Sequence, residues 1–209
     1  MDIIDNYDKL SLGKYQEIKN LCEGRVVDDE IQTKILAILT DKTEDEIDHL
    51  PIVECREMAH RTGFLYDAKV NVHPLAKTYL VGDFKVSLVR DFRKIETGQY
   101  IDFQTYAQDV EHRMVELLSV ILVPKGHRYN EGYDLAELQD AIRHDLSVAD
   151  AFSVLGFFLL SCGQSIVSSL SYSKEMAKGV KDKTEREKIL KKIMAVEMFI
   201  KISGVGFRA

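Results

Sequence analysis

The sequence predicts a mainly α-helical fold with a minor β component. Two similar helical units (residues 1–75 and 93–170) flank one β-hairpin (76–92), and a basic C-terminal helix with an apolar end follows (171–209). Three observations carry that expectation. Apolar residues recur at three- and four-residue spacing along most of the chain. The spacing switches to a strand-like pattern once, between Thr78 and Leu88. Four helical landmarks of the first half return in the same order in the second. With 209 residues, 45% of them hydrophobic, the chain has enough apolar side chains for a sizeable interior, which excludes a wholly disordered polymer.

Tyr15, Ile18, Leu21 and Cys22 lie on one helical face after Ser11, a suitable N-cap, so a helix is expected over about 12–23, ended by Gly24. Asp28 and Asp29 open a second helix that buries Ile31, Ile35, Leu36, Ile38 and Leu39. Thr43 and Glu46 form a capping box for a short third helix. Pro51 fits the first turn of a fourth, whose inner face is expected to carry Val53, Met58 and Ala59 as far as Gly63. Residues 78–81 and 84–88 then read as two strands joined by Gly82-Asp83, a turn of type II′ character. A lone hairpin is marginal in water, so its faces must pack on helices or on another chain.

From Thr97 a single helical pattern runs through Tyr100, Phe103, Tyr106, Met114, Leu117, Leu118 and Ile121 to Leu122, stopped by Pro124 and Gly126. Residues 124–133 are the longest loop signal. Asp134 and Glu137 cap a helix through Ile142, and Ser147 with Asp150 opens the most apolar helix, which includes Phe152, Leu155, Phe158, Cys162 and Ile166. Its apolar stretch is shorter than the roughly 20 residues that span a bilayer, so a core helix and no membrane partner are expected. The last helix starts at the Thr184–Glu187 capping box and ends in Met198, Phe199, Val205 and Phe207, which need a surface to bury against.

The repeat is legible in short strings. Gly13-Lys14-Tyr15-Gln16-Glu17-Ile18 parallels Gly98-Gln99-Tyr100-Ile101-Asp102-Phe103, and residues 35–39 parallel 117–121. The capping pairs Thr43/Glu46 and Asp134/Glu137 correspond, as do residues 50–55 and 146–151. Two copies of a four-helix unit, near 11–63 and 97–165, have equivalent apolar faces to bury, which is the economy of a scaffold.

Charge is unevenly spread. Against a total of 28 basic and 34 acidic residues and a net charge of −6, residues 1–67 hold 8 basic and 16 acidic side chains, and residues 174–209 hold 10 and 5. The ends can therefore attract each other between molecules. Lys181, Lys183, Lys188, Lys191 and Lys192 could meet phosphates and Tyr129 and Tyr133 could stack on bases, but the overall charge is negative and no nucleic-acid module is present. Cys22, Cys55 and Cys162 form no CxxC pair and are odd in number, as expected for a reducing compartment. The start, with Asp2, Asp5 and Asp8 and no apolar run, does not read as a signal peptide.

Catalytic signatures are weak. The six histidines are scattered, and the best local metal pair is His112 with Glu116, one helical turn apart; no metal is expected. Gly163-Gln164-Ser165 lacks the closing glycine of a nucleophile elbow. Lys125, Gly126 and Arg128 miss the spacing of a phosphate-binding loop. Convergence of His112, Glu116, His127 and Asp150 on one pocket would be the mark of an enzyme.

Four strings, SLGKY (11–15), IETGQYIDF (95–103), PKGHRYNEGYD (124–134) and LSVADAFSVLGFF (146–158), give the chain its character. In these it resembles tail-region and tail-assembly proteins of tailed bacteriophages, particularly the crAss-like phages that infect gut Bacteroides. The resemblance implies a non-enzymatic virion component without cofactors: a ring or adaptor subunit at the tail or head–tail junction, or a packaged tail protein. A tail-assembly chaperone absent from the mature particle is the alternative. It further implies partners that are copies of itself and other virion proteins, non-specific proximity to DNA, and a location in the virion after assembly in the host cytoplasm. Under that reading the expected subunit contacts are Tyr79, Val81, Phe84 and Val86 on the hairpin and Met198, Phe199, Val205 and Phe207 at the apolar end.

Overall fold

The computed structural model describes residues 3–66, 70, 73–91, 94–110 and 112–158. The expected C-terminal helix, the contact residues Met198, Phe199, Val205 and Phe207, the tail lysines, the Gly163–Ser165 string, and Cys162 and Ile166 all lie outside the described residues. The chain divides into two compact units, one of residues 1–89 and 96–154, the other of 90–95 and 155–209. In the second unit, the Lys94 amide donates to the Asp91 carbonyl at 2.9 Å. The first unit draws on both predicted helical stretches and on the hairpin.

The protein is mainly α with a small antiparallel sheet. Helix α1 spans Leu12–Cys22, with the Ser11 side chain accepting from the Lys14 amide. Helix α2 spans Asp29–Thr40, capped by Asp28, whose carboxylate accepts from the Ile31 amide at 2.9 Å. Helix α3 (Glu44–Asp48) has both halves of the Thr43/Glu46 capping box, and α4 (Ile52–Arg61) starts immediately after Pro51. A 3-10 turn, Thr62–Tyr66, continues α4. In α4 the expected inner face is only partly realised: Met58 is buried, but Val53 is 62% exposed and Ile52 64%.

Strands β1 (Tyr79–Val81) and β2 (Phe84–Leu88) pair antiparallel, with Val81 opposite Phe84. Gly82 takes φ +53 and Asp83 is not in the positive-φ region, as a type II′ turn requires. The hairpin finds its support inside the chain. A third strand, β3 (Leu122–Pro124), pairs with β2, with Leu88 opposite Leu122 and Val86 opposite Pro124.

That strand corrects the expectation of one long helix from 97 to 122. The segment is α5 (Thr97–Tyr106), a 3-10 turn (Ala107–Asp109), α6 (Met114–Ile121) and then β3. The helix breaks because the Asp109 carboxylate accepts from the His112 amide at 3.3 Å and meets its ring nitrogen at 2.8 Å, a local side-chain alternative to helical hydrogen bonding. The cap of α5 also sits one residue earlier than expected, at Glu96, with Gln99 returning the bond.

Helix α7 spans Leu135–Asp145 behind the Asp134 cap, and α8, described over 148–158, begins behind Ser147, whose hydroxyl accepts from the Asp150 amide. Residues 10–12 and 146–148 hydrogen-bond as a short bridge: the Leu12 amide donates to the Leu146 carbonyl at 2.9 Å and the Val148 amide to the Leu10 carbonyl at 2.8 Å. One core cluster therefore joins Leu10, Ile18, Ile35, Leu36, Leu39, Ile47 and Met58 to Val148 and Ala149.

Candidate functional site

The hairpin residues expected to meet other subunits are mostly interior. Tyr79 and Val81 alternate inward on β1 and Val86 does so on β2, and all three are buried. These side chains are closed over by the chain's own packing, including that of α7 on β1, and are not available to a partner in the folded chain. Phe84 is half-buried, its ring edge-on to Tyr133 at 6.5 Å between centroids. What β1 presents outward is Leu80, 75% exposed.

The 124–134 loop is a fixed connection. The Lys125 amide donates to the Lys85 carbonyl at 2.8 Å, which extends the β2–β3 ladder into the loop. Tyr129 is buried and its hydroxyl donates to Asp102 Oδ2 of α5 at 2.8 Å. Burial and the neighbouring carboxylate both hold that phenol well above the usual tyrosine range. The Tyr133 hydroxyl accepts from the Asn130 amide at 2.9 Å, and the His127 ring stands edge-on to Tyr133 at 5.9 Å. Gly132 takes φ +78, and a Cβ there would lie 2.8 Å from His127 Nδ1. The two tyrosines that read as base-stacking candidates are thus used to hold the loop together.

Titratable side chains are distributed in separate pairs. His112 lies ahead of α6 and meets Asp109, with Glu23 at 3.7 Å, rather than Glu116. Asp109 and then Glu23 raise the His112 pKa. Asp150 is bonded to Ser147 and His127 belongs to the loop, so His112, Glu116, His127 and Asp150 do not share a site among the described contacts. Asp5 takes Arg61 at 2.8 Å and Lys9 at 3.1 Å, which holds its carboxyl below the ordinary range, and His73 meets Asp8 at 2.6 Å. Among the described residues, no group of three His, Cys, Asp or Glu is placed to hold a metal ion, and no helix is long and apolar enough to cross a membrane.

A hollow of about 780 Å³ lies against α1 and α2, lined by Lys14, Glu17, Leu21, Lys34 and Asp41 among others, and two more border α1. One, of about 360 Å³, has an apolar floor made by Ile18 and Cys22 of α1, Ile35 of α2, and Leu65 and Tyr66 of the 3-10 turn. Burial raises the pKa of the Cys22 thiol, leaving it a neutral, weakly nucleophilic group. The second, of about 750 Å³, runs between α1 and α7 and is polar, with Lys14, Lys19, Arg143, His112 and His144 beside Glu17 and Asp41. Lys19 borders both. Its cations are already matched: Lys14 to Asp41 at 2.7 Å and Arg143 to Asp140 at 3.3 Å.

Sequence reasoning missed the apolar hollow, because its wall comes from three separated segments. The local trace of it is Ile18 and Cys22 on one face of α1, which periodicity assigns to the core. No family model, curated protein or solved structure matches this chain.

Proposed function

We propose that the chain is a non-enzymatic structural component of a bacteriophage virion, a ring or adaptor subunit of the tail or head–tail junction. The observation that carries the reading is the resemblance over most of residues 11–165, in the strings SLGKY, IETGQYIDF, PKGHRYNEGYD and LSVADAFSVLGFF, to tail-region proteins of tailed phages. Three of these strings do architectural work in the fold. Gly13 lets α1 approach α7: a Cβ there would lie 2.6 Å from Arg143 Cγ and 3.0 Å from its carbonyl oxygen. The loop string carries the Tyr129–Asp102 bond, and Ser147 caps α8 beside the bridge to residues 10–12.

Quantitative mass spectrometry of purified particles of the encoding phage tests this reading. The expected result is the chain at a fixed, multiple copy number relative to a known ring protein. Its absence from particles, together with its presence in infected-cell lysate, would transfer the assignment to an assembly chaperone; a substrate turned over by the purified chain would end the structural reading altogether.

A further inference from the structure

We infer that α3 and the first turn of α4 form a docking face for residues 188–196 of a second copy of this chain. This deepens the multi-copy reading above and rests on it. The face is defined by the charge that the fold leaves unmatched. Elsewhere in the acidic N-terminal stretch, carboxylates have cationic partners: Asp5 meets Arg61 and Lys9, Asp8 meets His73, Glu30 meets Lys34, and Asp41 meets Lys14. Between 44 and 57 the pattern is different. Asp45, Asp48, Glu54 and Glu57 are exposed, and their carboxylates have no ion pair or hydrogen bond among the described residues. Glu46 turns back on Thr43, Glu44 acts on Lys34 only across space, and Arg56 is the one Lys or Arg of the stretch. Beside them Ile52 and Val53 are more than 60% exposed at the start of α4, with Val53 one helical turn from Glu57. The surface therefore joins two aliphatic side chains to an unneutralised negative field.

Residues 188–196, KILKKIMAV, have the complementary chemistry. Lys188, Lys191 and Lys192 bring positive charge with no acidic residue in the string, and every other side chain in it is apolar. A partner with cations alone would leave Ile52 and Val53 in water, and an apolar partner alone would strand the carboxylates; this string answers both. Face and string are different parts of the chain, so each copy offers one of each. The contact is heterologous, and it closes into a ring or propagates as a filament according to the rotation between neighbours.

The test uses the full-length chain. Glu54→Lys/Glu57→Lys reverses charge on the face, and Lys188→Glu/Lys191→Glu/Lys192→Glu reverses it on the string; circular dichroism and thermal melting check that each variant folds. In analytical ultracentrifugation at low ionic strength the wild type is expected to grow in mass with concentration, and less so as salt rises from about 0.05 to about 0.5 M. Either variant alone sets like charges against each other and is expected to associate at least about tenfold more weakly. Mixed in equal amounts, each variant finds a string of opposite sign only on the other, and association should return. Ile52→Gln/Val53→Gln, which leaves the charge alone, should weaken association while its salt dependence persists. Carbodiimide treatment of mixed light and heavy-isotope wild type should join Glu54 or Glu57 to a lysine of 188–192 in mixed-isotope pairs. A wild type that stays monomeric, variants that associate as the wild type does, a mixture that stays apart, or cross-links formed only within single copies would each overturn the contact. Particle mass spectrometry reads the virion assignment separately, so the two can fail independently.

Discussion

Helices α2 and α6 carry nearly the same five-residue apolar run, Ile35-Leu36-Ala37-Ile38-Leu39 and Leu117-Leu118-Ser119-Val120-Ile121, yet only α6 is buried at every one of the five positions. In α2, Ile38 stays partly exposed. The difference lies in the neighbours. Helix α6 packs on α5 and α7 and passes directly into β3, whereas α2 is covered by α1, α3 and the edge of α4. Even Ser119, which replaces the alanine of the first run, is enclosed; its hydroxyl donates to the Glu116 carbonyl and accepts from Gln139. A similar local code therefore yields a closed interior in one place and a face with open borders in the other. Among the described residues, the borders of α2 and α4 are where apolar side chains such as Ile38, Ile52 and Val53 stay partly or largely exposed.

The largest contrast is expected from a buried charge. Val120→Asp places a carboxylate with no partner in a closed core and should cost about 4 kcal/mol or more, while Ile38→Asp should cost about 1–2 kcal/mol. Urea denaturation midpoints measure both; equal losses would erase the distinction between the two helices.

The glycines of the repeat sharpen it further. Gly13→Ala forces α1 away from Arg143 and should lower stability by about 1–3 kcal/mol, whereas Gly98, with nothing within 4 Å, should accept alanine with a gain of up to about 1 kcal/mol. Thermal midpoints moving in opposite directions are the expected result, and shifts of the same sign would mean the two positions are not different after all.

The smallest of these effects concerns Tyr129. Tyr129→Phe leaves Asp102 without its donor and should cost about 1–2 kcal/mol at neutral pH. Because the folded-state phenol titrates above its unfolded value of 10.0, its contribution is complete below about pH 10 and is lost as pH rises from there. Stability measured between pH 8 and 11 should therefore fall on the alkaline side in the wild type, and that fall should be shallower in the variant.

Much of the fold was legible because helix ends are written locally. Ser11, Asp28, Thr43 with Glu46, Asp134, and Ser147 with Asp150 all cap the helices their sequences predict, and Gly82-Asp83 makes the expected turn. What escaped is set by distant partners. Leu122-Val123-Pro124 continues a helical apolar pattern and becomes a strand only because β2 has an open edge beside it. The break at Asp109 is the local exception: it depends on one carboxylate meeting His112 three residues on, a bond that apolar periodicity does not register. The inward faces of Tyr79, Val81 and Val86, and the outward first turn of α4, depend on which elements arrive against them. The apolar hollow left no local trace beyond Ile18 and Cys22, since a recess is defined by the space between segments.

The bridge between residues 10–12 and 146–148 has a consequence for synthesis. The ribosome releases α1 early, but the strand of backbone that clasps it is made about 136 residues later, on the order of ten seconds at ordinary elongation rates. Until then Leu10, Leu12 and Ile18 lack part of their final cover, and the nascent chain displays an unfinished oily surface to solvent. Slow translation or a rare-codon pause before Val148 should therefore lengthen the window for aggregation, and chaperones of nascent chains are expected to dwell longest on this N-terminal stretch.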